Sequence, residues 1–389
     1  MKEFVETSSN ICLNDKNPLS FTPVNPDSVQ TESSVEEPNV PESGKKPNKH
    51  NWWREIAFLI GITILFVMVY HIGLDTIWKN IILIGWYVIP IIAVWGIGYI
   101  LNALSWNSII HDTPDVHIPF LKVLKFTISG YALNYITPFG LAGGEPYRIM
   151  ELRRYMPTEK ATSSVILYLM MHICSHYFFW LTAALLVAWL VPVSRVISIL
   201  LTVSSVLFSC FIILFFKGYK QGLVVKITRI GSRVPFLGKR LRHLKPETIE
   251  RLNLIDEQIR NLHGNRRRSF YFSLFLEFLA RLVNSFEVLL IIYALGHTAS
   301  YIDALIIVAL SSLLANILFF SPMQLGTREG GFFLAFSLLG LATNISVSVS
   351  MITRIRELFW ILIGILLMKV SVTDKSADSN IPKTVHNHA

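Results

Sequence analysis

The stretch YITPFGLAGGEPYRIMELRR, from Tyr135 to Arg154, interrupts a chain that is otherwise largely apolar. Within it, five residues break or loosen a helix, namely Pro138, Gly140, Gly143, Gly144 and Pro146. Glu145 and Arg148 add charge where the flanking sequence predicts hydrocarbon. Irregular backbone inside a bilayer has unpaired N–H and C=O groups, so it survives only beside protein or a watery cavity. The stretch therefore predicts a broken helix that lines a cavity in a membrane protein.

The composition supports a membrane location for the whole chain. Of 389 residues, 52% are hydrophobic and only 16% are charged, whereas soluble domains carry about 25% charge. The apolar residues form runs close to the roughly 20 residues that a helix needs to cross a bilayer. A β-barrel would show short alternating segments instead. We therefore predict an all-α polytopic membrane protein.

The net charge of +9 has a local source. Residues 217–268 contain 14 Lys and Arg against 4 Asp and Glu, which gives +10 for this one loop. Basic loops remain on the cytoplasmic side, and they attract anionic lipid. The excess therefore indicates a cytoplasmic loop with a surface helix and a lipid partner, and no nucleic acid.

Six full spans are expected, at about 55–73, 81–104, 161–190, 195–216, 270–295 and 349–369. They form an integral domain over residues 51–370, between a disordered cytoplasmic tail (1–50) and a polar cytoplasmic tail (371–389). The run KKPNKHNWWR before the first span is typical of a cytoplasmic interface anchor. We expect a multi-pass protein of the plasma or inner membrane with both termini cytoplasmic.

The segment 118–147 begins and ends on the cytoplasmic side in this topology. Its 30 residues are too few for two crossings at roughly 20 residues each, so it is predicted to be a re-entrant hairpin. A second interrupted region, at about 303–345, lies between segments that are predicted to be outside. Two hairpins entering from opposite faces indicate an inverted repeat.

The second hairpin contains NILFFSPMQLGTREGG, Asn316 to Gly331, which is similar in order to NYITPFGLAGGEPYR, Asn134 to Arg148. Each has an Asn, aromatic and aliphatic residues, a Pro, and Gly-rich backbone with Glu and Arg. The prolines, Pro138 and Pro322, are 184 residues apart. We interpret the two stretches as an internal repeat.

These two motifs resemble the signature regions of the lysylphosphatidylglycerol synthase/flippase transmembrane family, and the resemblance covers about residues 50–370. It implies a helical bundle with re-entrant segments and, as in the best-known members, movement of an aminoacylated phospholipid between leaflets. Those members also carry a large soluble aminoacyl-transferase domain. Only about 20 polar residues follow Lys369 here, so the resemblance implies transport rather than lysyl transfer.

The charges of the hairpins have two interpretations. Arg148 and Arg328 could pair with a lipid phosphate, while Glu145 and Glu329 balance them or bind a cationic headgroup. Alternatively, each Glu–Arg pair locks its own hairpin, because intramembrane charge needs a partner in any case.

Three spans carry further polar residues. In the fifth predicted span, Glu277, Arg281, Asn284 and Glu287 share one face, with Glu277 and Arg281 as an i,i+4 pair. This face lines a substrate path or forms a structural network.

In the last predicted span, Arg354 and Glu357 can pair at i,i+3, either at the outer interface or as a phosphate site. In the third, His172 and His176 lack a third metal ligand, so we expect an interhelical contact, with a proton-relay or headgroup role as the alternative.

The sequence thus predicts a lipid translocase for a phosphate-bearing polar lipid, without metal or cofactor. Whether it acts as a single chain or as a homo-oligomer is left open by the sequence. The alternatives are a membrane enzyme transferring an aminoacyl or glycosyl group to or from a lipid-linked substrate, and a scaffold acting through loop 217–268. The candidate substrate-binding residues are Asn134, Glu145, Arg148, Glu277, Arg281, Asn316, Arg328, Glu329 and Arg354. The candidate backbone breaks are Pro138, Gly140, Gly143, Gly144, Pro322 and Gly326.

Overall fold

The fold is known from a computed structural model that describes residues 73–111, 118–136, 143–220, 267–317 and 326–369, with single positions at 63, 67, 70 and 257. All regular structure in these ranges is helical, which confirms the predicted all-α class. The predicted tails, 1–50 and 371–389, and nearly all of the basic loop with its surface helix lie outside the described residues.

The described helices are α1 (Leu74–Ile84), α2 (Val88–Ile110), α3 (Phe120–Ile136), α4 (Gly144–Leu152), α5 (Thr158–Leu190), α6 (Arg195–Lys220), α7 (Arg267–Ala294), α8 (Tyr301–Ile317), α9 (Thr327–Leu338) and α10 (Ser346–Lys369). A 3₁₀ turn, Gly85–Tyr87, joins α1 to α2, and another, Thr343–Ile345, precedes α10.

Among the described residues, three stretches are long and apolar enough to cross a membrane, and they are Leu74–Ile110, Thr158–Leu190 and Arg195–Lys217. The second and third agree with the predicted spans at 161–190 and 195–216. The first starts earlier than the predicted 81–104, because α1 is an additional helix that the hydropathy pattern did not reveal. The predicted first span, 55–73, lies almost wholly outside the described residues.

Helices α7 and α10 are also long enough to cross a bilayer. Their 28 and 24 residues correspond to about 42 and 36 Å at 1.5 Å per residue, against about 30 Å of hydrocarbon. Their lower hydropathy comes from charges within the span, and five of these are at most 4% exposed, namely Glu277, Glu287, Arg354, Arg356 and Glu357. Both helices therefore direct charge into the bundle rather than toward its surface.

Helices α2 and α7 form the most extensive contact in the bundle, and they run antiparallel. Trp95 bonds to Glu287 near one end of the contact, while Ser105 bonds to Ser273 near the other. At the crossing, a Cβ on Gly98 would lie 2.3 Å from Oδ1 of Asn284. Gly98 therefore leaves room for the Asn284 side chain between the two helices.

Two further contacts are equivalent to one another when the two halves of the bundle, α2–α5 and α7–α10, are exchanged. Helix α3 packs against α10, and α8 packs against α5. In the first contact, a Cβ on Gly364 would lie 2.9 Å from the Ile128 carbonyl oxygen; in the second, Trp180 bonds to Ser312. A shift of 184 residues, the spacing of the two prolines, takes Trp180 to Gly364 and Ile128 to Ser312. The segments α2–α5 and α7–α10 thus have matching element order and matching contacts.

Each half contains a pair of short helices that pack closely on one another, α3 with α4 and α8 with α9. A Cβ on Gly144 would lie 2.2 Å from the Gly130 carbonyl oxygen, and one on Gly331 would lie 2.8 Å from Cα of Ser311. Small residues therefore permit both helix pairs to form. The connecting residues, 137–142 and 318–325, lie outside the described residues, and with them Pro138, Gly140 and Pro322.

Candidate functional site

A cavity of about 360 Å³ lies where the two helix pairs meet. Helices α3 and α4 contribute Tyr131, Asn134, Tyr135 and Arg148, and α8 and α9 contribute Ser311, Asn316, Arg328 and Phe332. The long helices contribute Trp95 from α2, His172 and His176 from α5, and Arg281 and Asn284 from α7. The cavity is large enough for a small-molecule site, and its wall carries three guanidinium groups among aromatic rings.

Arg148 is the most deeply buried of these three guanidinium groups. It is 1% exposed, and its Cζ lies 4.8 Å from the Tyr131 ring centroid and 5.2 Å from that of Tyr168. Its Nη1 lies 3.6 Å from Glu145, which is long for an ion pair, and its Nε has no hydrogen-bond partner among the described residues. A buried charged donor without a partner is costly, because burial has removed the water that would satisfy it.

The local sequence explains how this guanidinium is accommodated. A Cβ on residue 130 would lie 2.4 Å from Nε of Arg148, so Gly130 creates the space that the guanidinium occupies. Ring faces attract a cation, although more weakly than a bonded carboxylate does. The site therefore holds Arg148 in place between Gly130 and the rings, and its Nε has no hydrogen bond among the described residues.

The first turn of α4 is fixed by Asn134 of α3. Its side-chain oxygen accepts the Gly144 N–H at 2.8 Å, and its amide nitrogen donates to Glu145 Oε1 at 2.9 Å. These bonds satisfy one of the free N–H groups at a helix start. The second helix pair uses a different device, since the Gly326 N–H donates to Glu329 Oε2 at 2.7 Å and Gly326 has a φ of +81°.

A second polar group on the cavity wall centres on His172. Its Nδ1 lies 2.7 Å from Glu277 Oε2 and 3.1 Å from the Tyr131 hydroxyl. Arg281 donates to the His172 carbonyl and to the Ser175 hydroxyl, both at 2.8 Å. The predicted Glu277–Arg281 ion pair is therefore not formed, because Arg281 bonds across to α5 instead.

Three arginines of α9 and α10 are closely neutralised. Arg356 donates twice to Glu287 at 2.8 and 3.0 Å, and Arg354 donates to Glu329 at 2.7 Å. Arg328 pairs with Glu357. The predicted pairing of Arg354 with Glu357 and its placement at the outer interface are both wrong, because each partner finds a charge on another helix and Arg354 is 1% exposed.

The structure brings many of the predicted residues together. Asn134, Arg148, Arg281, Asn316 and Arg328 line the cavity. Glu145 and Glu277 contact residues of its wall, while Glu329 and Arg354 pair with one another outside that wall. Glu145 and Arg148 lie 3.6 Å apart within the first hairpin, which either interpretation of the hairpin charges allows. In the second hairpin, Arg328 and Glu329 pair with α10 and not with one another.

Sequence reasoning missed the aromatic part of the site. Trp95, Tyr131, Tyr135 and Tyr168 line the cavity, but aromatic residues at helical spacing are usually core and gave no separate signal. His172 and His176 were recognised as polar contacts between helices. The structure shows such a contact for His172 and places both rings on the cavity wall.

Comparison with known proteins agrees with this architecture. Residues 54–364 match the family described as lysylphosphatidylglycerol synthase TM region. The chain is also 21% identical, over 329 residues, to UPF0104 membrane protein PH1989 of Pyrococcus horikoshii, an alignment that covers 81% of this chain and 96% of the relative. No solved structure matches the chain. The chain is an integral membrane protein that belongs to the lysylphosphatidylglycerol synthase transmembrane-region family.

Proposed function

We propose that this protein is a lipid translocase that moves a phosphate-bearing polar lipid between the two leaflets through the charged cavity. The observation that carries this proposal is Arg148, a buried guanidinium on the cavity wall whose carboxylate partner among the described residues, Glu145, lies 3.6 Å away. A phosphate in the cavity that reached this guanidinium would form a charge-assisted hydrogen bond with it.

The rest of the wall suits a headgroup. Arg281 and Arg328 supply further cationic groups, and Asn284 supplies a buried side-chain oxygen that has no partner among the described residues. Tyr131 and Tyr168 cover the guanidinium with their rings and carry hydroxyls that bond to one another at 3.0 Å. A polar headgroup entering this space gains hydrogen bonds that water would otherwise supply.

The matching halves support alternating access. Each half supplies a short-helix pair to one cavity, and α2 and α7 are antiparallel where they cross. If the two pairs are re-entrant hairpins from opposite faces, rocking one half against the other would open the cavity to each leaflet in turn. We include the inverted repeat and the six full spans in this proposal.

Location and partners belong to the proposal as well. The protein would lie in the plasma or inner membrane with both termini cytoplasmic, since its basic loop 217–268 favours that side. The same loop would contact anionic lipid headgroups. Assembly as a homo-oligomer is compatible with this arrangement.

One contact favours a second candidate function, an enzyme acting on a lipid-linked substrate. His172 and Glu277 form a buried His–carboxylate pair beside the cavity, which is the arrangement of a general base and its orienting partner. Lipid profiling of a deletion strain separates the two functions. An enzyme changes which lipids exist, whereas a translocase changes only the leaflet in which they lie.

The direct test uses proteoliposomes that contain headgroup-labelled fluorescent phospholipid and a membrane-impermeant quencher. We expect wild type to expose inner-leaflet label to the quencher, and both Arg148→Ala and Arg328→Ala to lose this activity. Arg154→Ala is the matched control, because Arg154 is 47% exposed and pairs only with Glu151 outside the cavity. Full activity of the Arg148→Ala/Arg328→Ala double variant would exclude the proposed site.

A further inference from the structure

A second cavity, of about 190 Å³, lies between α5, α6 and α8 and shares a wall with the charged cavity. The two cavities adjoin at three places along α5 and α8. At each place two consecutive residues face different cavities: Phe179, Val308 and Ser312 line the charged cavity, while Trp180, Ala309 and Leu313 line the second. We call the second cavity the apolar groove.

The lining of the apolar groove offers almost nothing to a polar ligand. Its residues are small or aliphatic apart from Trp180, Phe208 and Ser204. The Ser204 hydroxyl already donates to the Leu200 carbonyl at 2.7 Å. An occupant that needs no hydrogen bonds, such as a hydrocarbon chain, fits this surface.

The groove also opens toward the surface of the bundle. Helix α6 packs mainly against α5 and leaves a gap beside α8. Leu200 of α6 lines the groove and is 61% exposed, and outward-facing residues of the same helix, such as Val203 and Leu207, are at least 51% exposed. In a membrane this surface faces lipid chains, so the groove is continuous with the hydrocarbon.

Trp180 forms the partition between the two cavities. Its ring lines the apolar groove, and its Nε1 donates at 3.0 Å to the hydroxyl of Ser312, which lines the charged cavity. The ring centroid lies 5.2 Å from that of His176 on the polar side and 5.7 Å from that of Phe208 on the groove side. One side chain therefore contacts both compartments.

We infer that the apolar groove holds an acyl chain of the same lipid whose headgroup occupies the charged cavity. A phospholipid has a polar and an apolar part joined within one molecule, and the two compartments present these chemistries on opposite sides of one wall. This inference rests on the proposed translocase function and deepens it by giving the substrate's hydrocarbon a place.

The test fills the groove. Ala184 lines it and is 8% exposed, so Ala184→Phe places a ring where the chain would lie. Leu185→Phe is the matched control, because Leu185 is the next residue of α5, is 57% exposed and does not line the groove. We expect Ala184→Phe to slow exchange of a long-chain phospholipid by about tenfold or more, since overpacking a filled site is costly. Exchange of a short-chain analogue with the same headgroup should be unchanged in both variants.

The other outcomes are equally decisive. Unchanged long-chain exchange in Ala184→Phe would overturn the inference and leave the translocase proposal intact, as would equal slowing of long and short chains. Should Ala184→Phe not fold, Leu201→Phe fills the groove from α6.

If wild type moves no lipid, the proposed function fails. Photocrosslinking with a diazirine at the end of an acyl chain then still tests whether the groove holds that chain. Labelling of α6 and α8 groove residues supports it, whereas labelling spread evenly over the outer surface overturns it.

Discussion

At the scale of single residues, five arginines and five glutamates lie on or next to the wall of the charged cavity, and their pairings differ. The arginines are Arg148, Arg281, Arg328, Arg354 and Arg356, and the glutamates are Glu145, Glu277, Glu287, Glu329 and Glu357. The three arginines of α9 and α10 each bond directly to a carboxylate, whereas Arg148 lies 3.6 Å from its partner. Tight pairs hold helices together, and the loose one is free to change partner.

The Arg356–Glu287 pair should be structural, and a double-mutant cycle tests this. Glu287→Leu leaves the guanidinium of Arg356, 2% exposed, over the Trp95 ring and with Glu357 at 3.8 Å as its carboxylate partner among the described residues. We expect a loss of about 3–5 kcal/mol in unfolding free energy, because the remaining buried charge is uncompensated. Adding Arg356→Met should restore much of that loss, as measured by unfolding in detergent. Losses that simply add would show that the two side chains do not stabilise one another.

The sequence predicted which residue types form the site better than it predicted their partners. Intramembrane charge identifies Arg148, Arg281 and Arg328 from composition alone, since charge in a span is rare. Partners depend on which helices meet in space, so the i,i+3 and i,i+4 rules gave incorrect pairs for Arg354 and Arg281. The aromatic ring contacts around Arg148 could not be predicted either, because they also depend on which helices meet in space.

At the scale of elements, close helix contacts depend on small residues at the crossing points. Gly144 contacts α3, Gly331 contacts α8, and Gly364 contacts α3 from α10. Each contact lies in or beside a short-helix pair. These glycines therefore determine how closely the helices of each pair approach one another and their neighbours. They thereby determine the shape of the cavity.

Adjacent glycines in α9 allow a clean test of this role. A Cβ on Gly331 would lie 2.8 Å from Cα of Ser311, whereas a Cβ on Gly330 would meet nothing within 4 Å. We expect Gly331→Ala to lower the unfolding free energy by about 1–3 kcal/mol through overpacking. Gly330→Ala should be neutral or stabilising by roughly 0.5–1 kcal/mol, because alanine favours a helix. Equal melting temperatures for both variants in detergent would show that Gly331 is not needed for close packing of α9 on α8.

At the scale of the whole molecule, the exchanged contacts relate one half of the bundle to the other. Helices α2 and α7 meet each other, α3 meets α10, and α5 meets α8. The order of long and short helices was predictable from hydropathy and from the two broken motifs. The packing of each half against the other was not predictable, because the two halves have too few identical residues to show which helices touch. Helix α1 was also missed, since Asp75, Lys79 and Asn80 interrupt the apolar pattern there and indicated a loop between spans.

Cysteine accessibility tests the orientation of the halves. In a background without the native cysteines, single cysteines at exposed Ser194, Thr298 and Asn344 should react with an impermeant maleimide added outside intact cells. A cysteine at exposed Arg153 should react only after the membrane is permeabilised, because α4 and its flanking turn belong to the cytoplasmic side of the proposed topology. Labelling of all four positions from the same side would rule out an inverted arrangement.

The central proposal is that the cavity recognises a lipid phosphate, and leaflet exchange of two matched lipids tests it most directly. One is a labelled phospholipid, and the other is a neutral glycolipid with the same chains and label, each in proteoliposomes with wild type or Arg148→Ala. We expect wild type to exchange the phospholipid much faster than the glycolipid. Arg148→Ala should slow only the phospholipid, by about tenfold to a hundredfold, since a charge-assisted hydrogen bond contributes roughly 1.5–3 kcal/mol. Equal exchange of both lipids, or phospholipid exchange unaffected by Arg148→Ala, would contradict the proposal.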